Sequence, residues 1–277
     1  MTNHDQEQNR PVEPGDHEGP LPFGDLVEEV SENGKKVRHR GVYLLPNLFT
    51  TGALFGGFYA IVSAMNGNFT HAAIAIFVSM LLDGMDGRVA RMTNTQSAFG
   101  EQYDSLADMV SFGVAPALVV FSWVLQDLGR WGWAAAFIYM ACAALRLARF
   151  NTQIATVDKK YFIGLASPAA ASVIAGMVWV WSTTFPGSLW GVAVAMVTAL
   201  TGLLMVSNFR YTSFKSLDFR GRVPFAFMLL VVLVFASLII YQEQGIFAIA
   251  VLYALSAPFI KGFKVLFGGV KKTGAPE

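Results

Sequence analysis

Apolar runs follow one another through most of the chain, separated by short polar breaks, and eight can be marked: 48–66, 72–91, 104–125, 131–149, 164–184, 189–206, 224–241 and 246–260. A helical crossing of a bilayer takes roughly 20 residues at about 1.5 Å each. The pattern therefore predicts an all-α polytopic transmembrane bundle, with the last span short and interrupted by Pro258. Residues 1–40 are polar, rich in Glu, Asn, Pro and Gly, and are expected to form a partly disordered tail without a cleavable signal pattern. Within and just past that tail, residues 23–41 fit either a short interfacial helix ending in a basic cluster or a solvated linker.

One stretch breaks the apolar rule. Residues 72–82 are too few to cross a bilayer, so that helix must continue past Asp83 and Asp86 to about Arg91; the uncharged run 109–125 likewise draws Asp108 and Asp104 into the next helix. Asp83 and Asp86 are three apart, and Asp104 and Asp108 four apart, so each pair shares a helix face. All four carboxylates then meet near one membrane boundary, where unneutralised charges repel and are costly to desolvate. Hard oxygen donors in that number suit Mg²⁺ or a similar divalent cation, with ligands enough for two. Gly84, Gly87 and Gly100 leave bare backbone on the same surfaces, which lets a bulky anion approach. Arg91, four residues beyond Gly87, can meet phosphate oxygens.

Composition agrees with the helix pattern. Hydrophobic residues make up 54% of the chain and charged ones 14%, which excludes an ordinary soluble domain. Of the 20 Lys and Arg residues, all but Arg130 fall in the tails and alternate breaks that would share one side. By the positive-inside rule both termini and the aspartates are expected in the cytoplasm.

Several features read as packing. Gly52, Gly56 and Gly57 suit close helix contacts; Ser167 before Pro168 suits a helix N-cap; Cys142 lies in an apolar run as a buried thiol; Trp131, Trp133 and Trp190 suit the interface opposite the aspartates. Three polar clusters lie at the depth of the acids. Asn47 and Thr50 open the first span, where they can reach a nucleotide or, for Asn47, cap the helix. Arg146 and Arg149 close the fourth; Asn208, Arg210, Tyr211 and Lys215 close the sixth. Such cations serve either as topology determinants or as anion ligands.

The spacing D-x2-D-G-x2-A-R-x8-G-x3-D-x3-D, carried by Asp83, Asp86, Gly87, Ala90, Arg91, Gly100, Asp104 and Asp108, resembles the CDP-alcohol phosphotransferase family at every defined position. RLARFN, GLASPAAA and SNFRYTSFK, beginning at Arg146, Gly164 and Ser207, resemble its bacterial membrane-embedded phosphatidylserine synthase branch. The resemblance covers about 42–224. It implies a six-helix core that dimerises, leaving about two C-terminal helices in 224–277, and two divalent ions, Mg²⁺ or Mn²⁺, on Asp83, Asp86, Asp104 and Asp108. Asp108 would take the acceptor's proton. The expected substrates are CDP-diacylglycerol, met by Asn47, Thr50, Gly87, Arg91 and Ser97, and L-serine. Charge balance at a site crowded with anions assigns the serine carboxylate to Arg149 and Lys215, with Arg146, Arg210 and Tyr211 behind them. No nucleic-acid partner is expected. Glycerol 3-phosphate, inositol phosphate and choline are the alternative acceptors. A transporter would hold its acids near the midplane between repeated halves, and a structural metal protein would not need Gly87 and Arg91.

Overall fold

The computed structural model describes residues 28–32, 35–39, 44–93, 98–153, 161–183, 188–212 and 241–267. The chain divides into two compact units, 1–42 and 43–277. In the first, β1 (Glu28–Glu32) pairs antiparallel with β2 (Lys35–His39). This corrects the helix considered for 23–41. Register sets Glu28 opposite His39, Glu29 opposite Arg38 and Glu32 opposite Lys35, with Val30 opposite Val37. The intervening sequence, Asn33-Gly34, is a strong two-residue hairpin signal.

The second unit is an all-α bundle. Its helices are α1 (Leu44–Met65), α2 (Phe69–Met92), α3 (Ala98–Asp108), α4 (Ala115–Trp123), α5 (Arg130–Gln153), α6 (Ser167–Trp181), α7 (Ser188–Val206) and α8 (Gln242–Phe267). A π-helical turn, Met109–Val114, joins α3 to α4. Among the described residues, four stretches are long and apolar enough to cross a membrane: 47–65, 99–123, 130–152 and 189–206. At 15 residues α6 is shorter, and the expected span 224–241 lies outside the described residues. Two short strands, β3 (Tyr161–Ile163) and β4 (Arg210–Thr212), pair antiparallel and tie the α5–α6 connection to the end of α7. Gly164 makes that closure possible at φ +83°, because a side chain there would collide with the Met205 carbonyl.

Lipid tails are as apolar as Leu, so helices in a membrane associate by close backbone packing rather than by hiding large side chains. The first helix follows this rule: Ala53, Gly56, Gly57, Ala60 and Ala64 face inward, while Leu48, Phe55, Phe58, Tyr59 and Met65 are exposed. The Ala53 carbonyl accepts hydroxyls from Ser79 of α2 at 2.9 Å and Ser111 of the π turn at 3.0 Å. Three segments thus meet at one backbone oxygen. At the centre, every residue of α6 from Ala170 to Val178 is buried, packed by α2, α4 and α8.

Two prolines interrupt helical hydrogen bonding here, and each has a tyrosine partner. Pro116 cannot donate to the carbonyl of Phe112, four residues earlier, and the Tyr139 hydroxyl donates to it at 3.0 Å. Pro258, inside α8, cannot donate to the Ala254 carbonyl, and the Tyr211 hydroxyl does so at 2.9 Å. Both phenols are fully buried. In lipid no water would take either carbonyl.

Three expectations change in detail. Ser167 is the first helical residue of α6, with Ala166 at the cap position, and its hydroxyl meets Arg146 instead of capping. α1 begins at Leu44, so Asn47 lies inside the helix, its carbonyl accepting the Thr51 hydroxyl at 2.7 Å; Pro46 is tolerated because first-turn amides have no helical acceptor. Trp131 and Trp133 are exposed, but Trp190 is half-buried edge-on against Trp181.

These contacts set the outcome of four variants. A Cβ on Gly57 would stand 2.8 Å from Ser111 Cα, a backbone atom that cannot step aside, so Gly57→Ala should destabilise the purified protein by about 1–3 kcal/mol. Gly84→Ala, with nothing within 4 Å of its Cβ, should leave the melting midpoint in detergent unchanged or slightly raised. Tyr211→Phe should cost about 1–3 kcal/mol through an unsatisfied Ala254 carbonyl. Adding Pro258→Ala should recover most of that loss by returning an amide to α8, and no recovery would assign the tyrosine's contribution to something other than this carbonyl.

Candidate active site

The ends of α2 and α3 bring the acids together. One oxygen each from Asp83, Asp104 and Asp108 lies within 4.8 Å of the others. Asp83 faces Asp108, and Asp86 faces Asp104. Asp86 is buried and accepts the Thr50 hydroxyl through Oδ2 at 2.7 Å. The four predicted carboxylates therefore converge as the helical spacing requires, three of them gathered and the fourth held by α1. Thr50, expected to contact the nucleotide, donates its hydroxyl to Asp86.

Asp104 Oδ1 and Asp108 Oδ1 are buried without a hydrogen-bond partner. A buried polar atom left unsatisfied needs a physical reason, and here two oxygens of like charge are concerned. A divalent cation satisfies both and offsets the repulsion, so the residues present fit such an ion. The surroundings leave room for a large anion: Gly84 and Gly87 are exposed, and a Cβ on either meets nothing within 4 Å. Arg88 and Arg91 are exposed on the last turns of α2.

Opposite stands the end of α5. Arg146, half-buried, donates to the Ser167 hydroxyl at the start of α6 and lies within electrostatic reach of Asp108. Arg149 donates to the Asn208 side chain at 3.0 Å. Of the residues predicted for the acceptor, Arg146 thus comes to the aspartates and Arg149 ties α5 to the segment after α7. Tyr211 does not join them: it is 1% exposed, its hydroxyl committed to Ala254 and its ring 5.6 Å from that of Tyr253. Lys215, Ser97 and the Arg210 side chain lie outside the described residues.

The structure adds polar residues that helix spacing did not single out. Tyr103 on α3 meets the Thr51 hydroxyl at 2.9 Å. Ser105, between Asp104 and Asp108, exchanges hydrogen bonds with the Asn151 amide at 3.1 and 3.2 Å. Asn151 ends the RLARFN segment, so its position beside the arginines was a usable signal. Tyr103 and Ser105 had none beyond lying between acids.

Comparison with known proteins gives a consistent result. Residues 43–205 match the CDP-alcohol phosphatidyltransferase family. A Helicobacter pylori protein named CDP-diacylglycerol--serine O-phosphatidyltransferase is 40% identical over 200 residues, 72% of this chain and 82% of the relative. A Mycobacterium bovis protein of the same name is 32% identical over 245 residues, 82% of each chain. The crystal structure of Mycobacterium tuberculosis phosphatidylinositol phosphate synthase with CDP-DAG bound is a looser likeness, with TM-score 0.45 and 18% identity over 59% of this chain and 80% of that one. On its sequence match across the aspartate-bearing helices, the chain belongs to the CDP-alcohol phosphatidyltransferase family.

Proposed function

We propose that the chain transfers the phosphatidyl group of CDP-diacylglycerol to the hydroxyl of L-serine, giving phosphatidylserine and CMP. The observation that carries this reading is the convergence of Asp83, Asp104 and Asp108 with two buried oxygens lacking a partner; the names of the relatives support the choice of substrates. Two divalent ions, Mg²⁺ or Mn²⁺, when bound by these residues and Asp86, supply neutralisation of the pyrophosphate oxygens and of charge on the leaving group. Asp108 accepts the serine hydroxyl proton as that oxygen bonds to the phosphatidyl phosphorus. The bond from this phosphorus to the CMP oxygen breaks, and CMP leaves with the electron pair. The open backbone at Gly87 lets the pyrophosphate approach, and Arg91 and Asn47 contact the CDP portion, with Ser97 in the same set. Thr50 acts by fixing Asp86.

Serine brings a carboxylate to a site already rich in anions, so its approach requires a cation. Arg146 has the best position, beside Asp108 and at the start of α6, and Arg149, Arg210 and Lys215 enlarge the positive field. The active site and both termini lie on the cytoplasmic side of a bacterial inner membrane, a reading supported by the placement of 19 of 20 Lys and Arg residues. Soluble serine and CMP exchange there with water while acyl chains stay in the bilayer. Residues 41–223 form the catalytic core, 224–277 contribute α8 against it, and the enzyme works as a homodimer.

The test is CMP release by the purified protein with labelled serine, glycerol 3-phosphate, inositol phosphate or choline; turnover with an acceptor other than serine would overturn the serine assignment. Asp83→Asn, Asp104→Asn and Asp108→Asn should each lower turnover by more than about 100-fold, and Thr50→Val by about 10–100-fold, as expected for loss of a ligand and of a group that orients one. In EDTA the same Asp→Asn variants should melt at or above the wild-type midpoint, because each removes one of several repelling buried charges. A lower midpoint would make that aspartate a structural acceptor.

For the acceptor, Arg146→Ala should raise the apparent KM for serine much more than that for CDP-diacylglycerol, and ethanolamine, which lacks the carboxylate, should be a poor substrate. Equal losses for both substrates would place Arg146 on the lipid phosphates or in the fold.

A further inference from the structure

The turn that follows Asp108 is wound with i→i+5 bonds: the amide of Ala115 donates to the carbonyl of Val110. Such a turn takes in one more residue than α-helix would, and each helical residue subtends about 100°. The face carrying Asp104 and Asp108 is therefore rotated relative to α4 by about that angle, and α4 is anchored by buried Pro116, Ala117, Val119 and Val120. Whether those carboxylates look at Asp83 thus depends on the turn keeping its wide winding.

Two features keep it wide. The Pro116 ring excludes the α-type bond to the Phe112 carbonyl, and the buried Tyr139 hydroxyl takes that carbonyl at 3.0 Å. Tyr139 cannot retreat, since Gly202 of α7 presses on its backbone so closely that a Cβ there would stand 2.8 Å from Tyr139 Cα. Seven residues on along the same face of α5 is Arg146, within electrostatic reach of Asp108.

We propose that Tyr139 is a positioning residue for the metal-binding carboxylates: by holding the Phe112 carbonyl it maintains the π turn that aims Asp104 and Asp108 at Asp83. This rests on the divalent-ion reading above. Tyr139 touches neither substrate nor ion in this role; it acts through the backbone of another helix. Removing its hydroxyl frees the carbonyl to seek another partner, and the turn loses its fixed winding.

The experiment measures Mn²⁺ binding to the full-length protein in detergent, from the electron paramagnetic resonance signal of the free ion, without substrate. Melting midpoints in EDTA are recorded in parallel. Tyr139→Phe should weaken Mn²⁺ binding by about tenfold or more, in the range for groups that orient ligands, and lower the midpoint. Adding Pro116→Ala returns an amide to the Phe112 carbonyl, but through an α-type bond. The double variant should therefore regain the midpoint while Mn²⁺ binding stays weak. This contrast also holds if Tyr139→Phe alone is too unstable to purify. Unchanged Mn²⁺ affinity in Tyr139→Phe would overturn the proposal, and so would recovery of both affinity and midpoint in the double variant, which would leave the tyrosine a purely structural role. Wild-type protein without saturable Mn²⁺ binding would overturn the divalent-ion reading itself, and this proposal with it.

Discussion

Mutual repulsion among Asp83, Asp86, Asp104 and Asp108 is the constraint that the surrounding structure is built to withstand. Nothing in an apolar bundle would gather these side chains spontaneously, because each loses hydration and gains like-charged neighbours. They are gathered because the helices bearing them are fastened elsewhere. α1 meets α2 and the π turn through small residues, and the Ala53 carbonyl draws in Ser79 and Ser111. Thr50, one turn before Ala53, then reaches Asp86. The joint is formed where Gly56 and Gly57 let α2 and the π turn come close to α1, and the acids lie beyond it.

Backbone oxygens are the second constraint. In water a carbonyl freed by proline is simply hydrated, whereas in a bilayer it needs a protein donor. Phe112 and Ala254 are both supplied by buried tyrosines from other segments. Each bond therefore does two things, satisfying an acceptor and fastening one element to another: α5 to the π turn, and β4 to α8. The second explains why Tyr211, which its neighbours in sequence suggested as an acceptor ligand, is instead part of the core. It also explains how α8 runs through Pro258 as a 26-residue helix.

The far end of α5 carries the opposite charge. Arg146 donates to the first residue of α6 within electrostatic reach of Asp108, and Arg149 donates to Asn208. Hydrogen bonds from the end of α5 thus reach α3, α6 and the segment between α7 and β4. Arg146 is the cation of this helix that lies within electrostatic reach of Asp108, so the positive charge at the end of α5 partly offsets the negative charge gathered on α2 and α3.

The sequence by itself determined the membrane class, the helical segments through α7 and the convergence of the acids. These follow from local rules: apolar run length, the 3.6-residue period and the rarity of charge inside such runs. The spacing of Asp83, Asp86, Asp104 and Asp108 left little else for those residues to do. What only the tertiary structure decided are partnerships between distant segments. That Asp86 belongs to Thr50, that Arg146 comes to Asp108 while Tyr211 turns to Ala254, and that Ser167 serves an arginine rather than a cap are matters of which helix faces which. Periodicity says that residues share a face; it is silent on what lies opposite. The π turn is the sharpest case, because Pro116 marks a lost hydrogen bond in the sequence, but the carbonyl's new donor, 23 residues beyond at Tyr139, exists only once α5 has folded back against it.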